Sequence, residues 1–206
     1  MIEPLVFFAY VPAALALNLT PGADMLFCLA QGARGGPRPA LAASAGISAG
    51  SMVNVTLAGL GLGALVAGVP GAFDAIRWCG VAYLAWLAWR TLRTPLVSGD
   101  GPAVRSSRAF RDGLIVNLTN PKVILFILAF VPQFVDPDRP VLPQFMIFGA
   151  VLAIGGFVIN GLVGAFSGGI GRQMTSNARF DRAFRWISAT IFGGLALRLA
   201  FAGGRL

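Results

Sequence analysis

The sequence predicts an all-α, polytopic membrane protein with six transmembrane helices. They form two inverted three-helix repeats, and the first and fourth helices are broken. Three observations carry this. Of 206 residues, 56% are hydrophobic and 12% charged, against roughly 25% charged in an average soluble domain. Uncharged runs long enough to span a bilayer recur along the chain. Short motifs recur in the same order in its two halves. A mean hydropathy of +0.76 excludes disorder, and 27 glycines and 13 prolines without a period exclude collagen-like order.

The elements follow from the gaps between charges. Residues 4–23 are uncharged, and Asp24 is the one charge before Arg34, so the first helix spans about 4–31. No positive charge precedes this run, so a cleavable secretory signal is not expected. Residues 39–73 carry no charge and hold a second helix over 40–68. Residues 78–89 lie between Arg77 and Arg90 and give a third over 72–93, its arginines snorkelling to the interface. A polar stretch over 94–108 is a linker at mid-chain. Residues 113–135 contain only Lys122, and residues 140–171 no charge at all, which gives helices over 109–135 and 142–169. The sixth, over 183–203, lies around Arg185 and Arg198. One transmembrane domain thus fills 1–206, with repeats over 1–93 and 109–206. Eleven arginines fall in loops after odd-numbered helices and four on the opposite side. The odd loops are therefore expected in the cytoplasm and both termini outside. A net charge of +8 is explained by this topology, without nucleic acid.

The internal repeat rests on three matches. Asn18-Leu19-Thr20 and Asn117-Leu118-Thr119 each precede a proline, Pro21 and Pro121. Gly50-x-x-x-Asn54 matches Gly156-x-x-x-Asn160. Arg77-Trp78 and Arg185-Trp186 are each followed, after eleven residues, by an arginine. The offsets grow from 99 to 106 to 108, as small loop insertions would produce. Three helices per half make the repeat inverted, and proline-broken helices at equivalent positions point to a transport site near the midplane. Pro21 and Pro121 lack an N–H and disfavour helix at the residue before them. The freed backbone groups must be buried in protein or line a wet cavity. The half-helix that starts after each proline presents N–H groups suited to an anion such as a carboxylate. Thr20 and Asn120 are the expected caps.

Asp24 and Lys122 lie just past these prolines. A charge at mid-membrane costs about 2.5–3.5 kcal/mol on insertion scales, so it has a partner or a function. The two can form a structural salt bridge. Alternatively, Asp24 handles an ammonium or a proton and Lys122 holds a carboxylate. The candidate substrate or coupling residues are Asp24, Lys122, Asn18, Thr20, Pro21, Gly22, Asn117, Asn120, Pro121, Asn54 and Asn160. Gly46-x-x-x-Gly50, the glycines at 59, 61 and 63, and Gly193-Gly194 suit close helix packing; a homodimer seam is compatible with them but not specified. Trp78, Trp86, Trp89 and Trp186 read as interface anchors. The chain has no histidine, and Cys28 and Cys79 form no CxxC pair, so no metal, cofactor or thiol-redox role is expected. An enzyme would need a nucleophile with its base, or a metal cluster; a channel, or a transporter for another small solute or ion, is the alternative to an exporter.

The stretches NLTPGAD, GISAGSMVN, AYLAWLAWRTLR and NLTNPKVILFILAFVPQFV resemble the lysine exporter and homoserine/threonine exporter superfamily, in the same order and over nearly the whole chain. The resemblance implies proton-coupled export of amino acids or close derivatives across a bacterial inner membrane. Its first-helix pattern is usually Pro-Gly-Pro followed by Asn or Asp; Pro21, Gly22 and Asp24 match, and Ala23 stands for the second proline. Ser51 and Asn54 stand where the superfamily often has an acidic residue and a histidine. Asn117, Pro121 and Lys122 match the fourth-helix motif.

Overall fold

The first apolar run folds as two helices. In the computed structural model, which describes residues 2–68, 72–93, 106–167 and 178–201, α1 (Pro4–Leu19) and α2 (Ala23–Gly35) meet at a bend of 52°. The fourth expected span behaves the same way. α5 (Ser106–Leu118) gives way at Thr119–Asn120 to α6 (Pro121–Ala129) and a 3-10 turn (Val131–Phe134), again with a bend of 52°. Both breaks fall where a proline removes a donor and constrains the residue before it.

The other helices are continuous. α3 (Pro37–Gly68) follows Gly36, whose φ of 77° suits a residue without Cβ. Its 32 residues extend roughly 48 Å at 1.5 Å each. α4 (Ala72–Arg93), α7 (Val141–Ala165) and α8 (Ala178–Phe201) complete the order. Among the described residues, α3 and α7 are long and apolar enough to cross a membrane alone, and each bent pair passes as one span. That makes up to four spans by length and composition among the described residues.

Several ends differ from expectation. α2 runs to Gly35, α5 starts at Ser106 and α8 at Ala178, each reaching into a charged stretch assigned to a loop. A helix does not stop at its first charge: Arg108 and Arg182 are exposed and cost nothing there. Residues 106–108 thus belong to α5 rather than to the linker, whose residues 94–105 lie outside the described residues.

α3 is the spine of the packing. It lies along α5 and α7, while α4 lies along α8. Small residues permit the close approach: a Cβ at Gly46 would meet the Phe110 carbonyl oxygen, and one at Gly113 the Ala43 carbonyl oxygen. Ser44 and Ser48 donate to the α7 carbonyls of Phe157 (2.8 Å) and Ala153 (2.9 Å). Gly59 also sits in contact, with Leu142 and Phe145 beside it, whereas a Cβ at Gly61, Gly193 or Gly194 would meet nothing within 4 Å. The last three are therefore not close-packing positions among the described residues. An aromatic cluster of Tyr10, Phe126, Phe130, Phe134 and Phe148 joins α1, α6 and α7. Leu5, Phe8, Leu57, Ile154, Leu162 and the four tryptophans are exposed. So much outward apolar surface suits lipid rather than water. Cys28 is buried, Cys79 is exposed, and both are free thiols.

Candidate functional site at the two helix breaks

The site follows from two missing N–H groups. In an unbroken helix the Leu17 carbonyl would accept from residue 21, and the Asn117 carbonyl from residue 121. Both of those residues are proline, so both acceptors need another donor. Each finds one in the opposite half of the chain. Lys122 Nζ donates to Leu17 O at 3.1 Å and to Thr20 O at 2.7 Å. Asn54 Nδ2 donates to Asn117 O at 3.3 Å, joined by the backbone N–H of Asn120 at 3.0 Å. Each break is thus completed from the other half of the chain, the first by Lys122 of α6 and the second by Asn54 of α3.

Asp24 occupies the first turn of α2, where a carboxylate is favoured by the helix dipole. It is 7% exposed and Lys122 is 9% exposed, so neither is solvated by bulk water. Asn117 Nδ2 donates to Asp24 Oδ2 at 2.8 Å and Asn120 Nδ2 to Oδ1 at 2.9 Å. These charge-assisted bonds hold the carboxylate between α2 and the α5–α6 break. Asn117 is fixed in turn by the Ser51 hydroxyl, which donates to its Oδ1 at 3.3 Å. Asn120 has two roles: its side chain accepts from the Lys122 N–H at 3.0 Å as the cap of α6, and it also binds Asp24. Asp24 is thus held by the Asn117 and Asn120 amides, and Lys122 reaches the carbonyls of Leu17 and Thr20.

Thr20 does not cap α2. The N-cap residue is Gly22, without a side-chain bond, because Pro21 and Gly22 separate Thr20 from the first turn. The Thr20 hydroxyl instead donates back to Ala16 O at 2.7 Å and closes the end of α1. Gly22 packs on Lys122: a Cβ there would lie 3.1 Å from Nζ. Asn18 and Asn160 belong to a neighbouring contact. Asn18 Nδ2 donates to Leu152 O of α7 at 3.0 Å, and both asparagines flank Gly156. Asn160 is 3% exposed, and its Oδ1 has no hydrogen-bond partner among the described residues. The structure therefore brings Asp24, Lys122, Thr20, Gly22, Asn54, Asn117 and Asn120 together around Pro21 and Pro121, with Asn18 and Asn160 to one side.

Two participants were not expected. Ser51 supports Asn117, and the Tyr83 hydroxyl of α4 donates to Lys122 O at 2.7 Å. Tyr83 lies within the uncharged run 78–89, and a buried phenol in such a run needs an acceptor. Tyr83→Phe is expected to cost about 1 kcal/mol, the usual net worth of one buried hydrogen bond. Unfolding of the purified protein in detergent measures it.

Chemically, the cluster offers a buried carboxylate, an ammonium and two half-helix N-termini within one junction. That set has acceptors and donors for both ends of a zwitterion. No solved structure matches the chain. Over 202 residues, 96% of its length and 97% of the relative's, it is 36% identical to an uncharacterized membrane protein of Vibrio cholerae. It is 34% identical over 155 residues to a homoserine/homoserine lactone efflux protein of Salmonella typhimurium, covering 74% of this chain and 75% of that one. It is 31% identical over 200 residues to a leucine efflux protein of an Enterobacter species, covering 94% of each. The LysE type translocator family matches residues 15–203, a stretch that contains both helix breaks and every residue of the cluster. The chain belongs to the LysE type translocator family.

Proposed function

We propose that this protein exports amino acids or close derivatives from a bacterial cytoplasm in exchange for protons. The observation that carries this is the buried Asp24 carboxylate at the start of a half-helix, held by Asn117 and Asn120 from the other break. A substrate ammonium is accepted by the lone pairs of Asp24 that the two amides leave open. Its carboxylate is held by the uncapped first-turn N–H groups of α2, with Lys122 as the neighbouring cation. The efflux of homoserine, its lactone and leucine by relatives supports a substrate of this class. Asp24 is the candidate proton carrier, alternately protonated and bound to substrate.

The site sits near the midplane between two inverted repeats in a single domain. The equal bends of 52°, each at a proline, support the repeat, as does the supply of a donor to each break from the other half of the chain. The arginine distribution supports both termini outside the inner membrane. Transport into inside-out vesicles of a labelled amino-acid panel, with and without a pH gradient, tests the function. Saturable, gradient-dependent uptake is expected, and large passive currents would indicate a channel. For topology, a membrane-impermeant thiol reagent applied to whole cells is expected to spare Asp100→Cys and to label a cysteine added at the C-terminus. Labelling at residue 100 overturns the orientation.

A further inference from the structure

Lys122 reaches across the junction to backbone oxygens. Its ammonium donates to Leu17 O at 3.1 Å and Thr20 O at 2.7 Å, at the end of α1. Pro21 supplies no N–H for Leu17, and the bend turns the Thr20 carbonyl out of the helical ladder. Gly22 makes room, since a Cβ there would lie 3.1 Å from Nζ and 3.2 Å from Cε. Carbonyls released at an unwound membrane helix are the ligands with which ion-coupled transporters hold a small cation.

We propose that the carbonyls at the α1–α2 break form a monovalent-cation site and that Lys122 is its resident cation, tethered from α6. A free ion would have to be drawn from solution in every cycle. The tethered ammonium is always present, and it fastens the first break to the second. Asp24 lies at the same junction, on the first turn of α2, and the ammonium offsets its charge. Two consequences follow. The protein works without added sodium. Shortening the side chain opens a cup that a free ion can enter, whereas Lys122→Met fills the cup with uncharged atoms and leaves no room for an ion.

Only the second arm of the test depends on the proposed export function. In the first arm, thermal unfolding of the purified protein in detergent is measured in sodium chloride, methylammonium chloride and choline chloride at equal ionic strength. Sodium or methylammonium is expected to stabilise Lys122→Ala relative to choline, and to leave the unaltered protein and Lys122→Met unmoved. In the second arm, export by Lys122→Ala in choline is expected to fall about tenfold or more, the scale of losing one partner of a buried charged contact, and to recover in sodium or methylammonium. If Lys122→Ala is equally stable, or equally unable to fold, in all three salts, the cation site is overturned. If the unaltered protein moves no amino acid while the first arm behaves as expected, the export function fails and the cation site stands.

Discussion

Asp24→Asn is expected to abolish gradient-driven export while leaving the protein folded and inserted. The variant keeps the shape of the side chain but loses the charge and half of its acceptor capacity. Asp24 accepts one amide N–H on each oxygen, from Asn117 and Asn120. An asparagine at 24 has one oxygen, so one of the two amides would face another NH2 group. Losing that charge-assisted bond costs about 1.5–3 kcal/mol, and the buried carboxylate no longer has to be desolvated, which offsets part of it. Stability should therefore change little. The substrate ammonium, in contrast, loses its counter-charge at a buried site, a loss of about 3 kcal/mol or roughly 100-fold in apparent affinity. The proton carrier disappears with it. Counterflow of labelled substrate and pH-gradient-driven uptake, measured on the same vesicles, separate these effects. Wild-type rates in Asp24→Asn would remove Asp24 from the mechanism. A purely structural pairing of the two charges makes the opposite forecast: Asp24→Asn with Lys122→Met would restore both folding and transport.

A large loss of stability is expected at Gly46. An added Cβ would fall against the Phe110 carbonyl oxygen, with the Phe110 carbonyl carbon 2.8 Å and the Leu114 amide nitrogen 3.0 Å away. All three are backbone atoms of α5, so no side chain can swing aside. Gly46→Ala must push α3 and α5 apart, at about 1–3 kcal/mol for overpacking. The same displacement pulls Asn117 away from Ser51 and Asp24, since Gly50, one turn on, lies within 3.0 Å of Asn117 by its own missing Cβ. Export should fall with stability. Gly61→Ala is the control. Among the described residues nothing lies within 4 Å of its Cβ position, and alanine favours helix over glycine by up to about 1 kcal/mol, so this variant should be unchanged or more stable. Unfolding of both variants in detergent, side by side, gives the comparison; equal behaviour would mean that the α3–α5 crossing does not depend on its glycines.

The breaks were legible in the residues because proline acts locally. Pro21 and Pro121 remove one donor and restrict one neighbour, and these effects need no tertiary partner. The prominence of Asp24, Lys122 and the flanking asparagines was legible for a similar reason: a charge or amide inside an apolar run is costly wherever the chain then goes. Helix ends were less legible. A gap between charges marks the apolar part of a helix, and α5 and α8 continue past it with their arginines exposed.

Which groups meet was decided by the fold. The residues alone left the partners of Asp24 and Lys122 open; the crossing of the two breaks brings the Asn117 and Asn120 amides to Asp24 and the Leu17 and Thr20 carbonyls to Lys122. Thr20 and Asn120 each directly precede a proline, yet only Asn120 caps a helix, because one break leaves two residues between Thr20 and its half-helix and the other leaves none. Tyr83 and Ser51 could not be assigned to the cluster from the residues alone, since a hydroxyl's partner depends on which helix lies opposite. Local chemistry thus established that backbone acceptors would be freed and charges buried at two points. Long-range packing of α3 on α5, and of α6 against the end of α1, determined who satisfies them, because hydrogen bonds reach about 3 Å and only the assembled helices bring residues a hundred positions apart within that distance.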